Sequence, residues 1–253
     1  MMESQATNYE HGSDTQRIIG MKIIKELEIC EDSTVLDLGC GTGYLTKVLS
    51  ECVGPKGKIV AVDPDRERLE IAREKYSSSN IEYIQADDQS FPAGEYDIIF
   101  SNLVIHWIDD KKAVFHRVYA NLRPGGCFVL STPNASYPIP EIGKRIFNLM
   151  MGPSFLHEML NKKMKFLSEM EYETMGAAVG FAPISVKVID HYPKWKNLDE
   201  YIDSMHGWFH GGFNPTGFDE SILQGVRKEY GKDPVTQSEP IMLVHAIFTK
   251  PSK

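Results

Sequence analysis

Three glycines alternate in Val35-Leu36-Asp37-Leu38-Gly39-Cys40-Gly41-Thr42-Gly43-Tyr44-Leu45, and an acid, Asp37, stands two residues before the first of them. Glycine lets a backbone turn at positive φ and lets a ligand lie directly against the main chain. Asp37 makes a pyrophosphate a poor occupant, because like charges would meet at short range, and favours a ligand that carries a cation. Asp63 follows Gly43 by 20 residues, the spacing at which an acid accepts hydrogen bonds from both hydroxyls of an adenosine ribose. Asp87, in Gln85-Ala86-Asp87-Asp88, is placed to take the adenine amino group. A nicotinamide dehydrogenase would want a third glycine three residues after the second and an acid-free approach to the loop. Neither is present.

The elements that must position these residues follow from hydrophobic periodicity. Thr34-Val35-Leu36-Asp37-Leu38 and Lys58-Ile59-Val60-Ala61-Val62-Asp63 are short apolar runs, as buried parallel strands require. Between them Leu45, Val48, Leu49 and Cys52 recur at helical spacing until Gly54-Pro55-Lys56-Gly57 breaks the chain. The alternation continues with a helix over 64–76, a strand over 81–85, a strand over 96–101, a helix over 111–122 and a fifth strand over 126–132. Such a pattern predicts an α/β doubly wound sheet, with the glycines and the three acids at the carboxyl ends of successive strands, where the ligand crevice opens. A helix over 17–27, capped by Ser13 or Asp14, should precede the first strand.

With 253 residues, 42% hydrophobic and 25% charged, the chain has ordinary globular proportions. The net charge of −8 and the absence of any run of five basic residues speak against phosphate-backbone binding, so no nucleic-acid partner is expected. No apolar run approaches the roughly 20 residues that cross a bilayer, the first 14 residues are polar, and a cytoplasmic protein without membrane insertion is expected. Cys30, Cys40, Cys52 and Cys127 form no C-x-x-C pair and are read as buried small hydrophobes, with no metal site.

Together these residues resemble the class I S-adenosylmethionine-dependent methyltransferases. The stretch from Val35 to Leu45 is similar to that family's first motif, Asp63 to its ribose-binding acid, Asp87 to its adenine-contacting acid, and Asn121-Leu122-Arg123-Pro124-Gly125-Gly126 to its late turn before the fifth strand. The resemblance is dense over residues 15–132. It implies a seven-stranded Rossmann-like sheet whose last strand, over 241–249, runs antiparallel, with S-adenosyl-L-methionine as cofactor. It further implies cofactor contacts at Asp37, Gly39, Cys40, Gly41, Gly43, Asp63, Pro64, Asp87, Asp88 and Asn102. One domain over 1–253 is expected, with 1–132 as cofactor core and 133–167 and 192–230 as helical insertions that fold over the crevice and build the acceptor pocket.

For the methyl acceptor, Ser101-Asn102-Leu103-Val104-Ile105-His106-Trp107-Ile108 follows the fourth strand, where His106 and Trp107 are expected to face the crevice. Trp107 could attract a sulfonium through its ring face. Leu-x-x-His-Trp, Leu103 to Trp107, followed by an acid resembles the subgroup containing trans-aconitate and juvenile hormone acid methyltransferases, which are carboxyl O-methyltransferases, and Gln16 matches a glutamine that in the latter lies over the active site. The aromatic stretch His206-Gly207-Trp208-Phe209-His210-Gly211-Gly212-Phe213 adds His210 as a candidate base. A carboxylate acceptor is ionised at neutral pH and needs no base, whereas an amine or phenol needs one. The expected reaction is therefore carboxyl O-methylation of a small organic acid with an apolar body. The alternatives are His-assisted N-methylation of an amine and a non-catalytic cofactor-binding module.

Overall fold

The computed structural model describes residues 13–136, 164–208, 235–236 and 241–252 and positions 143, 144, 148, 221, 224, 225 and 228, with backbone alone at 203, 205–208, 235 and 236. In chain order the elements are α1 (Asp14–Lys25), β1 (Thr34–Leu38), α2 (Tyr44–Val53), β2 (Lys58–Asp63), α3 (Arg66–Tyr76), β3 (Ile81–Gln85) and β4 (Tyr96–Asn102). A single 3-10 turn (Ile105–Trp107), α4 (Lys111–Asn121), β5 (Leu122–Pro133), α5 (Glu169–Val179) and β6 (Ile184–His191) follow. The last are β7 (Lys194–Trp195), α6 (Leu198–Trp208), β8 (Val235–Thr236) and β9 (Ile241–Thr249).

Seven strands form one sheet in the order β3-β2-β1-β4-β5-β9-β6. Neighbours from β3 to β5 pair in parallel, as the alternating pattern predicts, and β9 runs antiparallel to both β5 and β6, as the family resemblance implies. One face buries Ile23 and Ile24 of α1 and Leu49 and Val53 of α2 against Val35, Ile59, Ala61, Ile98, Phe100 and Val129. The other buries Phe115 of α4 and Tyr172 of α5 against Phe128, Phe181 and Phe248, with Phe115 at the centre of an edge-to-face aromatic cluster. Parallel strands covered on both faces must be apolar throughout, which explains the uninterrupted runs.

Three expectations need correction. α1 begins at Asp14 rather than Arg17, because Thr15 and Gln16 continue the buried stripe of Ile19, Gly20, Ile23 and Ile24 by one further turn. β5 begins at Leu122, not at residue 126. Two steps along β4, Tyr96 to Ile98, face five along β5, Leu122 to Cys127, so the expected turn is a bulge inside the strand, held by Gly125 N–H on the Lys250 carbonyl (2.8 Å) and Lys250 N–H on the Gly126 carbonyl (2.9 Å). Of the cysteines, Cys30 and Cys52 are exposed and Cys40 and Cys127 half-buried, since the loop and the helix end that carry the first two face outward. No helix among the described residues is long and apolar enough to cross a membrane.

Candidate active site

β1 ends at Leu38, and the glycine loop turns over the carboxyl ends of β1, β2 and β4. At Gly39 φ is +80°, and a Cβ there would lie 2.3 Å from Val104 Cγ2. The loop can therefore pass Val104 only without a side chain. Gly39→Ala is expected to lose about 2 kcal/mol of stability, through positive φ and overpacking together. A thermal unfolding curve coinciding with that of the parent would show that the loop has room to shift. Gly43 caps α2 in the left-handed region and packs where a Cβ would stand 2.8 Å from Ala72 Cβ.

Asp63 closes β2 and is 4% exposed. Its Oδ2 accepts the Gly41 N–H and its Oδ1 the Asp65 N–H, both at 2.9 Å. One carboxylate thus pins the glycine loop and the start of α3 at once, and each oxygen keeps a second lone pair for a ligand. Burial pushes its pKa up, opposed by Arg68 and by the two N–H donors. Asp37 is 2% exposed and receives Thr46 Oγ1 on its Oδ2 at 2.6 Å. Burial, with Asp63 adding repulsion, raises it to about 7 despite that bond. Asp87 is exposed and organises a turn, accepting Gln89 N–H at 3.0 Å and Ser90 Oγ at 2.6 Å on its Oδ1. The Ser90 bond holds its pKa low. Asp88 beside it is half-buried, and desolvation raises its pKa.

These groups line two neighbouring spaces. A crevice of about 470 Å³ is bounded by Gly39, Asp63, Pro64, Asp87, Asp88, Asn102 and Trp107, among others. A narrow recess of about 40 Å³ is bounded by Ser13, Gln16, Arg17, Asp37, Gly39, Cys40, Gly43 and Asn102. Gly39 and Asn102 belong to both. Gly41 borders neither and acts through its N–H on Asp63. Gln16 is buried, its carbonyl accepting Asn102 Nδ2 at 3.0 Å, which ties the first turn of α1 to the end of β4. Gln16 Oε1 and Asn102 Oδ1 are buried without a hydrogen-bond partner among the described residues. Buried unsatisfied acceptors of this kind ask for a donor.

His106 departs from expectation. It is buried in the 3-10 turn, with Nδ1 3.2 Å from Thr132 Oγ1 and its ring against Trp107 and Phe166, and it borders neither the crevice nor the recess. The reason is the turn itself, which carries Trp107 to the crevice wall and swings the preceding residue towards β5. The Lys165 N–H on the His106 carbonyl, at 2.9 Å, closes that side. His210, the side chains of His206 and Trp208, most of the 133–167 insertion and part of the 192–230 insertion lie outside the described residues.

Ser13, Arg17 and Leu103 were not among the site residues expected from sequence. Leu103 holds φ +56° with its N–H on the Ser131 carbonyl at 2.7 Å, a strained conformation for a branched side chain at the rim of the site, and no local residue pattern announces it. Ser13 and Arg17 could have been found only by starting α1 a turn earlier.

The recess is bordered by Asp37, Gln16 and Asn102, and the acid among them suits a cationic end. The crevice presents Asp63 and Asp87, acceptors suited to hydroxyl and amino donors. The residues present therefore fit an adenosyl ligand that carries positive charge.

The family model described as "Methyltransferase domain" matches residues 13–186. Among curated proteins the chain is 34% identical over 145 residues to malonyl-[acyl-carrier protein] O-methyltransferase of Marinomonas sp., covering 56% of this chain and 53% of that one. It is 34% identical over 132 residues to trans-aconitate 2-methyltransferase of Azoarcus sp., covering 52% and 50%, and 32% identical over 186 residues to demethylmenaquinone methyltransferase of Lactococcus lactis, covering 71% and 67%. The chain spans about half the length of most of the curated relatives it matches. In fold it is similar to a phosphoethanolamine N-methyltransferase 2 of Haemonchus contortus, solved in complex with S-adenosyl-L-methionine, with TM-score 0.65, 17% identity and coverage of 97% of this chain and 56% of that one. The chain belongs to the class I S-adenosylmethionine-dependent methyltransferases, and S-adenosylmethionine is its cofactor.

Proposed function

We propose that the protein methylates a carboxyl oxygen of a small organic acid with an apolar body. The observation that carries this reading is the make-up of the site: among the described residues, no histidine borders the crevice or the recess, and His106 is committed to Thr132. Amine and phenol acceptors need a group to take their proton; a carboxylate does not. Relatives named malonyl-[acyl-carrier protein] O-methyltransferase and trans-aconitate 2-methyltransferase support an acidic acceptor.

When bound, the cofactor supplies a methyl group already activated on a sulfonium. The chain's own residues are then required to align the acceptor and exclude water. Asp63 and Asp87 hold the nucleoside end, Asp37 and Asn102 the cationic end. Gln16, fixed at the junction with Asn102, offers its amide to the acceptor carboxylate. Trp107 closes the crevice wall. The insertions over 133–167 and 192–230 supply the apolar part of the acceptor pocket within a single domain.

The test is a turnover screen with labelled cofactor against carboxylic acids, amines and phenols, reading S-adenosylhomocysteine release. With a carboxylic acid and both substrates saturating, the rate should stay flat from about pH 6.5 to 9, because the acceptor loses no proton in that range. Gln16→Ala and Trp107→Ala should each lower kcat by about tenfold with unchanged unfolding curves, as losses of positioning. An amine substrate whose rate rises through a histidine titration, with that rise lost in His106→Ala or His210→Ala, would replace carboxyl methylation with N-methylation.

A further inference from the structure

Among the described residues, the charged side chains bordering the crevice are unbalanced. Six are acids, Asp63, Asp65, Asp87, Asp88, Asp109 and Asp110, and one, Arg68, is a cation. Burial separates them. Asp87, Asp109 and Asp110 are exposed and Asp65 and Asp88 half-buried, so water and salt screen their charges. Asp63 and Arg68 are each 4% exposed, and at that depth a charge needs a counter-charge.

Arg68 stands where local preference argues against it. It lies in the first turn of α3, where the helix dipole repels a cation, and on the inward face of that helix with Leu69 and Ala72. Two anions offset the cost. Asp65, the N-cap of α3, accepts the Arg68 backbone N–H on Oδ1 at 3.2 Å and holds Oδ2 3.3 Å from Arg68 Nε. Asp63 is tied to the same turn by the Asp65 N–H on its Oδ1, at 2.9 Å. Burial raises the Asp63 pKa, and the Arg68 charge is the foremost influence opposing it, ahead of the Asp65 and Gly41 N–H groups. The other titratable groups that face Asp63 are all acidic: Asp37 of β1, the Cys40 thiol of the glycine loop and Asp65, with Asp87 sharing the crevice from the end of β3.

The ionisation of Asp63 matters to the site. Its oxygens already receive the Gly41 and Asp65 N–H groups and must also accept from the ribose hydroxyls. A protonated carboxyl turns one of those acceptor positions into a donor.

We propose that Arg68 is a positioning residue of the cofactor site, acting through Asp63: it keeps that carboxyl ionised in the crevice wall, so that both oxygens accept from the glycine loop and from the ribose. This role rests on the assignment of Asp63 to the ribose and is independent of the identity of the methyl acceptor.

The experiment is calorimetric titration of the full chain with S-adenosylmethionine between about pH 6 and 8.5, in an Asp37→Asn background that removes the other buried carboxyl of the site. The background should bind with constant affinity across the range. Adding Arg68→Met should weaken binding about tenfold at about pH 6.5, with proton release on binding there and with affinity recovering as the pH rises. Adding Arg68→Lys should restore most of the affinity and the flat profile, since Asp63 needs the charge rather than the shape. A loss in Arg68→Met that is equal at every pH and that Lys does not repair would reduce Arg68 to packing and overturn the proposal. So would unchanged affinity in Arg68→Met beside lost affinity in Asp63→Ala. Unchanged affinity in Asp63→Ala would overturn the ribose assignment and the role of Arg68 with it. If Arg68→Met does not fold, the Asp37→Asn background carries the test alone: binding at about pH 6.5 without proton release is expected, and release of a proton would show that Asp63 is not held ionised.

Discussion

Asp63→Ala is expected to cut cofactor affinity by about a hundredfold and to lower stability by about 2 kcal/mol. The affinity term has two sources. The ribose hydroxyls lose their acceptor, and the Gly41 N–H, held by Oδ2 at 2.9 Å, is released, so the loop that must lie against the ligand is no longer shaped in advance. The stability term comes from that bond and from the second one, Asp65 N–H on Oδ1. Both are charge-assisted and shielded from water, partly offset by the cost of burying the carboxylate, which is visible as its raised pKa. Asp63→Asn should be intermediate, because an amide can accept one of the two N–H groups but presents a donor to the other. Calorimetry with S-adenosylmethionine separates the two effects when set beside denaturant unfolding of the apoprotein. Unchanged affinity in the Ala variant would remove Asp63 from the binding site; lost affinity with unchanged stability would show that the Gly41 and Asp65 bonds contribute nothing.

The second large effect belongs to Asp37, whose pKa burial raises from 3.8 to about 7. A carboxyl whose folded pKa lies above its unfolded value keeps a proton in the folded state that the unfolded state has already released. Raising the pH from about 4 to 7 therefore erodes stability, by an amount on the order of 4 kcal/mol once complete. Above that window the folded protein carries a buried charge without a cationic partner among the described residues. A positively charged ligand in the recess reverses the balance by favouring the ionised form. Cofactor affinity should accordingly climb between about pH 6 and 8, and binding at about pH 6.5 should release most of one proton, measurable from the dependence of binding enthalpy on the ionisation enthalpy of the buffer. Asp37→Asn should be more stable than the parent at pH 8, bind the cofactor about tenfold more weakly there, and show neither the pH slope nor the proton release. A parent that binds without releasing a proton would mean that the carboxylate does not face the cationic end of the ligand.

The two acids show how far the sequence carries and where it stops. That Asp37 and Asp63 sit at strand ends beside a glycine loop is legible from residue types a few positions apart. That one of them is half-protonated near neutrality, and that the other pins a loop 22 residues away, depends on burial and on partners that local pattern does not contain. Gln16 makes the same point. Residue periodicity leaves it as a candidate outside a helix beginning at Arg17. It is buried because Asn102, 86 residues further on, reaches its carbonyl and so draws the first turn of α1 onto the end of β4. His106 is the reverse case, a residue whose place just past a strand end suggests the crevice and whose actual neighbours, Thr132 and Phe166, hold it inside the wall.

The antiparallel last strand followed only from the family resemblance, whereas the sequence by itself determined the alternation of strands and helices, the parallel core, the glycine loop and the order of the acids along the crevice rim. Each is a matter of period or of turn chemistry, encoded by neighbours along the chain. Only the tertiary structure decided which side chains meet and what charge they carry. Examples are the three-residue bulge that opens β5, the inward turn of His106, the junction of Gln16 with Asn102, and the Lys22–His191 contact spanning 169 residues. The physical reason is that desolvation and hydrogen-bond satisfaction are properties of a packed environment, and that environment is assembled from segments whose separation in sequence says nothing about their distance in space.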